Sequence, residues 1–145
     1  MTQAQSVTGV ILAGGRATRM GGQDKGLVLL QNRPMIQWVL DRLSPQVSKV
    51  LISANRSEKQ YGALGHHIVT DTATNFQGPL AGIAAALTQA DTPWLVSVPC
   101  DSPLIPLDLV WRLHHRCLYW LGGDPDPARR GGRVGGAEDV AGGER

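Results

Sequence analysis

Two patterns of apolar positions alternate along the first 113 residues. Short apolar runs bounded by glycine, proline or polar residues are typical of strands buried on both faces of a parallel sheet, whereas apolar residues at helical spacing predict helices. The predicted strands lie at 7–13, 49–53, 67–70 and 94–98, and the predicted helices at 34–44, 57–61, 80–90 and 106–113. This alternation predicts an α/β fold, a Rossmann-like three-layer sandwich with a mainly parallel sheet.

The composition changes near residue 121. Residues 122–145 are mainly glycine, arginine, aspartate and alanine, with hardly an apolar side chain. Such a segment cannot bury enough surface to offset the entropy lost on ordering. We therefore predict an α/β domain over residues 1–121 and a disordered Gly/Arg/Asp-rich tail over residues 122–145.

Bulk properties exclude several classes of protein. The net charge of +2 is too small to indicate a nucleic-acid partner. No apolar run reaches the roughly 20 residues that a membrane-spanning helix needs, and the first residues do not resemble a secretory signal. The cysteines and histidines show no metal-ligand spacing. We expect a cytoplasmic location, with no membrane and no nucleic acid as partner.

Polar or glycine-rich segments follow each of the four predicted strands. They cover residues 14–25, 53–56, 71–78 and 100–102. In open parallel sheets, ligands bind beyond the carboxyl ends of the strands. We therefore expect these four segments to converge on one edge of the sheet.

The first of these segments has the residues of a phosphate-binding loop. After Leu12 and Ala13, the paired glycines Gly14 and Gly15 let the backbone approach a ligand closely and present amide donors. Arg19 and Lys25 add two cations that can hold a triphosphate. The segment is neither a Walker A loop nor a dinucleotide fingerprint. The alternative is a solvated loop between two structural elements.

The other strand ends carry further candidate ligands. Asp101 lies in a Pro-Cys-Asp-Ser-Pro turn, where a carboxylate can bind Mg²⁺ together with substrate phosphates, or can simply accept hydrogen bonds within its own turn. Asp71 can contact a nucleoside or cap a turn. Ser53 and Asn55 can meet a base or ribose, or be ordinary strand-end residues. Gly78 begins a turn into a helix whose start favours an anionic ligand.

Four motifs in the same order resemble those of a known family. They are LAGG-x3-RMGG-x2-KG at 12–26, SANR at 53–56, GPLAG at 78–82 and PCDSPLIP at 99–106. The first resembles the signature of sugar-phosphate nucleotidyltransferases. Together the four resemble the molybdenum cofactor guanylyltransferases, which are MobA-like nucleotidyltransferases, over about residues 8–113.

The resemblance implies a nucleotide-diphospho-sugar transferase type of fold and transfer of GMP from GTP to the phosphate of molybdenum-molybdopterin, with release of pyrophosphate. It implies Mg²⁺ on Asp101 and catalytic roles for Arg19, Lys25 and Asp101. The family often has asparagine where this chain has Ser53. The implied partners are GTP, molybdopterin and molybdoenzyme maturation proteins. The GTP-binding residues expected from the motifs and the phosphate-binding loop are Leu12, Ala13, Gly14, Gly15, Lys25, Ser53, Asn55, Asp71, Gly78 and Asp101.

The resemblance fades between Leu113 and Leu121, whereas family members continue well beyond this region. Our hypothesis is that the C-terminal part of the fold is missing because the chain is a frameshifted or truncated product; a native flexible tail or a linker is the alternative. Two other functions remain open. One is a cytidylyltransferase of the same family, and the other is an inactive GTP-binding remnant or interaction module.

Overall fold

The computed structural model describes residues 7–14, 23–71 and 78–120. Residues 1–111 and 112–145 form two separate units, and the α/β sheet belongs to the first. Gly15, Arg19 and the predicted disordered tail lie outside the described residues. Within those residues, no helix is both long enough and apolar enough to cross a membrane.

The predicted order of strands and helices is confirmed. The strands are β1 Val7–Leu12, β2 Leu29–Leu30, β3 Arg33–Pro34, β4 Lys49–Ser53, β5 His67–Val69 and β6 Trp94–Pro99. The helices are α1 Met35–Leu43, α2 Glu58–Gly62, α3 Pro79–Gln89 and α4 Leu109–Trp120, with short 3-10 turns at Lys25–Leu27 and Ser44–Gln46.

The main sheet has the order β5-β4-β1-β6, and all its pairs are parallel. Strand β1 lies in the middle, with Val10 opposite Leu51 of β4 and Ser97 of β6. The chain moves outward from β1 through β4 to β5 and then crosses to the other side of β1 to form β6. The direction of winding therefore reverses beside β1, and this reversal creates the crevice in which such folds bind ligands.

Alternating residues of β1 pack into two hydrophobic layers. Ile11 points to the side covered by α1, where it shares a cluster with Val39 and Leu43. Val10 points to the opposite side, where it packs with Leu51 and Ala86 of α3. Because both faces of the sheet are covered, the strands read as continuous apolar runs. The predicted three-layer α/β sandwich is confirmed.

A small hairpin was missed by the sequence prediction. Strands β2 and β3 pair in antiparallel fashion through Leu29 with Pro34 and Leu30 with Arg33. Gln31 and Asn32, at the turn, have φ values of 50° and 61°, the positive values that tight hairpin turns require. With two residues per strand and both leucines exposed, the hairpin has too short a pattern to be recognised.

Helix α4 begins later than Pro106 suggested. Its first turns are organised by Gln46, whose Nε2 donates to the carbonyl of Pro106 at 2.9 Å and whose Oε1 accepts from the amide of Val110 at 2.9 Å. Gln46 is distant in sequence, so no local signal near Pro106 indicates it. The helix begins at Leu109, and this tertiary contact satisfies the amide of Val110 in its first turn.

Candidate nucleotide-binding site at the strand ends

Hydrogen bonds bring the ends of three strands together just beyond the sheet. The amide of Ala13 donates to the carbonyl of Ser53 at 2.8 Å, which extends the pairing of β1 with β4. On the other side, the amide of Cys100 donates to the carbonyl of Leu12 at 3.1 Å, which extends the pairing of β1 with β6. The segments that follow these strands therefore start side by side at the point where the winding reverses.

Lys25 and Asp101 meet at this edge. Lys25 Nζ lies 3.6 Å from Asp101 Oδ2, and the two side chains are 48% and 36% exposed. The expected meeting of the segment after β1 with the segment after β6 is therefore observed. Because the pair is solvated, it contributes at most about 1 kcal/mol to stability, and both groups are accessible to a ligand.

The loop that carries Lys25 passes close to the end of β6 at Gly26, which has no side chain. A Cβ atom built at Gly26 would lie 3.0 Å from Tyr61 Oη and 3.1 Å from Cys100 Cβ. A side chain at this position would crowd both residues, so glycine allows the loop to pass this close to the end of β6. Tyr61 is fully buried, and its hydroxyl has no hydrogen-bond partner among the described residues. Burial raises the pKa of this phenol, so it stays neutral.

Cys100 is a buried, neutral thiol beside the candidate metal ligand. Burial, followed by the neighbouring carboxylate of Asp101, raises the pKa of Cys100 to about 11. A thiol with this pKa is almost fully protonated at neutral pH and is a poor nucleophile. Burial therefore makes Cys100 a poor candidate for a covalent role.

A second group of residues lies on the β4 and β5 side of the edge. Asn55 Oδ1 accepts from the amide of Asp71 at 2.8 Å, which joins the segments that follow these two strands. A Cβ atom at Gly14 would lie 3.9 Å from Asn55 Nδ2. Gly14, Asn55 and Asp71 therefore form a continuous polar surface beside the end of β1.

Ser53 is not exposed at this edge. Its side chain is buried, and its Oγ faces Gly82 of α3 so closely that any Cβ at Gly82 would collide with it. Leu12 packs against the same glycine. Gly78, at the start of α3, has a φ of 136°, and no atom of residues 7–14, 23–71 or 78–120 lies within 4 Å of its Cβ position. The structure thus places Ser53 and Leu12 under α3, and Gly78 at the surface.

Asp24 lies beside Lys25 and belongs to this region, although no sequence motif marks it. Its side chain is only 6% exposed, and its Oδ1 lies 3.1 Å from Arg56 Nη2. Its Oδ2 accepts a hydrogen bond from Ser57 Oγ. Both partners are more than thirty positions away along the chain. A carboxylate can be buried only where partners pair with it. Since the partners of Asp24 are distant in sequence, no local signal distinguishes Asp24 from a turn residue.

A cavity of about 620 Å³ lies next to this buried carboxylate. Its walls include Asp24, Arg56 and Ser57, together with Leu27 and Leu29, but neither Lys25 nor Asp101. The chemistry of phosphate binding needs the accessible cation and carboxylate at the strand ends, so we assign the candidate site to that edge and not to this cavity.

The sheet order and the two helical layers define a Rossmann-like α/β domain. The model of the MobA-like NTP transferase domain matches residues 9–129. The chain therefore belongs to the MobA-like NTP transferase family, which confirms the resemblance seen in the motifs. The chain is 55% identical over 109 residues to the molybdenum cofactor guanylyltransferase of Serratia proteamaculans, a match that covers 75% of this chain and 55% of the relative.

Solved structures agree with this assignment. The molybdopterin-guanine dinucleotide biosynthesis protein A from Archaeoglobus fulgidus is 27% identical, with a TM-score of 0.53, and the match covers 73% of this chain and 53% of that one. Rv0371c from Mycobacterium tuberculosis is 22% identical with a TM-score of 0.64, covering 80% and 62% of the two chains, and shows the shared fold. The chain spans about half the length of the curated relatives it matches.

Proposed function

We propose that this chain carries the GTP-binding part of a molybdenum cofactor guanylyltransferase. The reaction would transfer GMP from GTP to the phosphate of molybdenum-molybdopterin and release pyrophosphate. The observation that carries the proposal is the placement of Lys25 Nζ 3.6 Å from Asp101 Oδ2 where β1 and β6 end, in a chain of the MobA-like NTP transferase family. Guanine and the molybdenum cofactor come from the names of the relatives.

In this reaction a phosphate oxygen of the acceptor forms a bond to the α-phosphorus of GTP while the bond from that phosphorus to the pyrophosphate oxygen breaks. The protein has to hold the two partners in line and offset the charge that develops on the leaving group. Lys25 supplies a cation for the phosphate oxygens. Since its pairing with Asp101 is weak, exchange of that carboxylate for phosphate oxygens costs little. Arg19 is proposed to act with it.

The residues at this edge fit a magnesium ion. Asp101 offers a hard oxygen donor on a side chain that is 36% exposed, and within the described residues no three His, Cys, Asp or Glu side chains are grouped as metal ligands. Magnesium commonly takes one or two protein carboxylates and completes its shell with phosphate oxygens and water. Asp101 would hold the ion, which supplies Lewis-acid stabilisation of the phosphates when bound.

The nucleoside would lie on the other side of β1. The polar surface of Gly14, Asn55 and Asp71 offers backbone, amide and carboxylate groups to a ribose or base. Ser53 lies beneath this surface and would support it through its contact with α3. We retain Leu12, Ala13, Gly15 and Gly78 as proposed GTP contacts, and a cytoplasmic location and contact with molybdoenzyme maturation proteins as part of the proposal.

Titration calorimetry of the full chain with GTP and Mg²⁺ tests the binding step. Lys25→Ala and Asp101→Ala each remove a charged partner of the nucleotide or its metal, so we expect affinity to fall by about tenfold to a hundredfold. Lys49→Ala and Asp41→Asn are matched controls, because they remove the same charges from β4 and α1. Equal affinity in all four variants would overturn the assignment.

Two further comparisons separate the competing functions. Stronger binding of CTP than GTP would identify the cytidylyltransferase alternative. Pyrophosphate release in the presence of GTP, Mg²⁺ and molybdopterin supports transfer, and its loss in Asp101→Ala ties it to this site. Specific binding of GTP without pyrophosphate release would identify a nucleotide-binding module instead of an enzyme.

A further inference from the structure

The buried carboxylate of Asp24 forms a clasp with the segment that follows β4. We define the Asp24 clasp as Asp24, Arg56 and Ser57. Each carboxylate oxygen has its own partner: Oδ1 lies 3.1 Å from Arg56 Nη2, and Oδ2 accepts a hydrogen bond from Ser57 Oγ. A carboxylate that is shielded from water is strongly disfavoured unless it is paired, so the clasp resists opening.

Asp24 immediately precedes Lys25, and the two side chains contact different parts of the protein. Asp24 contacts the segment after β4, whereas Lys25 reaches the segment after β6. The backbone between them is held in a 3-10 turn, in which the amide of Leu27 donates to the carbonyl of Asp24 at 3.0 Å. Any displacement of Asp24 is therefore transmitted directly to the backbone that carries the Lys25 ammonium.

On the other side of Lys25, Gly26 packs against Tyr61 and Cys100, where a side chain would crowd both residues. The backbone of Gly26 also forms a hydrogen bond with Cys100. Two charged contacts act on this stretch. The Lys25–Asp101 pair is solvated and weak, whereas the Asp24 carboxylate is buried and holds the backbone next to Lys25.

We propose that Asp24 is a positioning residue, which holds the Lys25 ammonium beside Asp101 and thereby sets the affinity for the triphosphate. The part of this inference that concerns affinity rests on the proposed function. The part that concerns the location of Lys25 rests on the geometry of the clasp. In this proposal Asp24 acts on nucleotide binding through the position of Lys25, not on the reacting atoms.

Chemical labelling of lysine amines tests the location of Lys25 without any nucleotide. In Asp24→Asn, the amide keeps the size of the side chain but loses the charge that holds Arg56. We expect the labelling rate of Lys25, followed by peptide mass spectrometry, to rise by about threefold, the factor for release of a solvated ion pair. Lys49 and Lys59 in the same sample should label at their wild-type rates. Asp41→Asn, which breaks an exposed pair with Arg33, should leave Lys25 unchanged.

A double-mutant cycle for GTP·Mg²⁺ affinity tests the coupling. We expect Asp24→Asn to weaken binding by about tenfold, in keeping with the loss of one charge-assisted contact to phosphate. In a Lys25→Ala background, the same substitution should have almost no further effect. A purely structural role would lower stability and weaken binding equally in both backgrounds, so additive losses would overturn the proposal.

A second, milder variant of the clasp keeps the test valid if Asp24→Asn fails to fold. Ser57 has a φ of 55°, a conformation that glycine adopts readily, so Ser57→Gly removes the hydroxyl from the clasp without strain. It should shift Lys25 labelling and GTP affinity in the same direction as Asp24→Asn, by a smaller factor. Absence of GTP binding in the wild-type chain would refute the proposed function, whereas unchanged Lys25 labelling in both clasp variants would refute the positioning role.

Discussion

The contact between Gly82 and Ser53 lets one substitution test the packing beneath the candidate site. Gly82 lies on the buried side of α3. A Cβ atom there would collide with Ser53 Oγ and would lie 3.2 Å from Leu12 Cδ2. The backbone of Ser53 cannot withdraw, because its carbonyl accepts from the amide of Ala13 at 2.8 Å and its strand is paired on both sides. Rotation of the hydroxyl would still leave Ser53 Cβ 3.2 Å from the added methyl group. We therefore expect Gly82→Ala to push α3 away from the sheet.

The magnitude follows from two opposing contributions. Overpacking of a well-packed core costs about 1–3 kcal/mol, whereas replacement of glycine by alanine inside a helix returns up to about 1 kcal/mol. We expect a net loss of about 1–2 kcal/mol in the free energy of unfolding. For a domain of this size, each kcal/mol corresponds to a fall in Tm of roughly 3–5 °C.

Urea unfolding followed by tryptophan fluorescence measures this loss. Gly62→Ala is the matched control, because it places the same methyl group at the end of α2, where no atom of the described part of the chain lies within 4 Å. The control should stay within about 0.5 kcal/mol of the wild type or gain stability. Adding Ser53→Ala to Gly82→Ala removes the atom in closest contact and should recover part of the loss. If Gly82→Ala is as stable as Gly62→Ala, the close contact between α3 and β4 does not exist.

Two other outcomes follow from local geometry. Burial raises the pKa of the Cys100 thiol from 9.0 to about 11. The unfolded chain therefore loses this proton first, and the contribution of Cys100 to stability falls as pH rises from 9 through 11. Between pH 8 and pH 10.5, the urea midpoint should decrease more in the wild type than in Cys100→Ala, and equal decreases would contradict burial of the thiol. Gly78 has a φ of 136° at the start of α3, so Gly78→Ala should cost about 1–3 kcal/mol of unfolding free energy through backbone strain alone, and an unchanged urea midpoint would show that this conformation is not required.

The main elements of the fold could be predicted because their signals are local. A strand buried on both faces needs an apolar run such as that of β1. A helix with one buried face needs apolar residues at helical spacing, such as Ile36, Val39 and Leu40. The position of the candidate site could also be predicted from the alternation of strands and helices along the chain. This alternation indicates a parallel sheet, in which the carboxyl ends of the strands share one edge. Lys25 and Asp101 were expected at that edge, and both lie there.

The contacts that organise the site needed the tertiary structure. Asp24 reads as an ordinary loop residue, and only the folded chain brings Arg56 and Ser57 to its carboxylate. Ser53 reads as a polar strand end, yet α3 covers it.

The sequence by itself determined the α/β pattern, the family motifs and the edge where ligands should bind. Tertiary structure decided which polar side chains at that edge are accessible and which are buried. The physical reason is that periodicity and motif order depend on neighbours along the chain. Burial of a carboxylate or hydroxyl instead depends on partners that are distant in sequence, and these become neighbours only when the sheet and helices have packed.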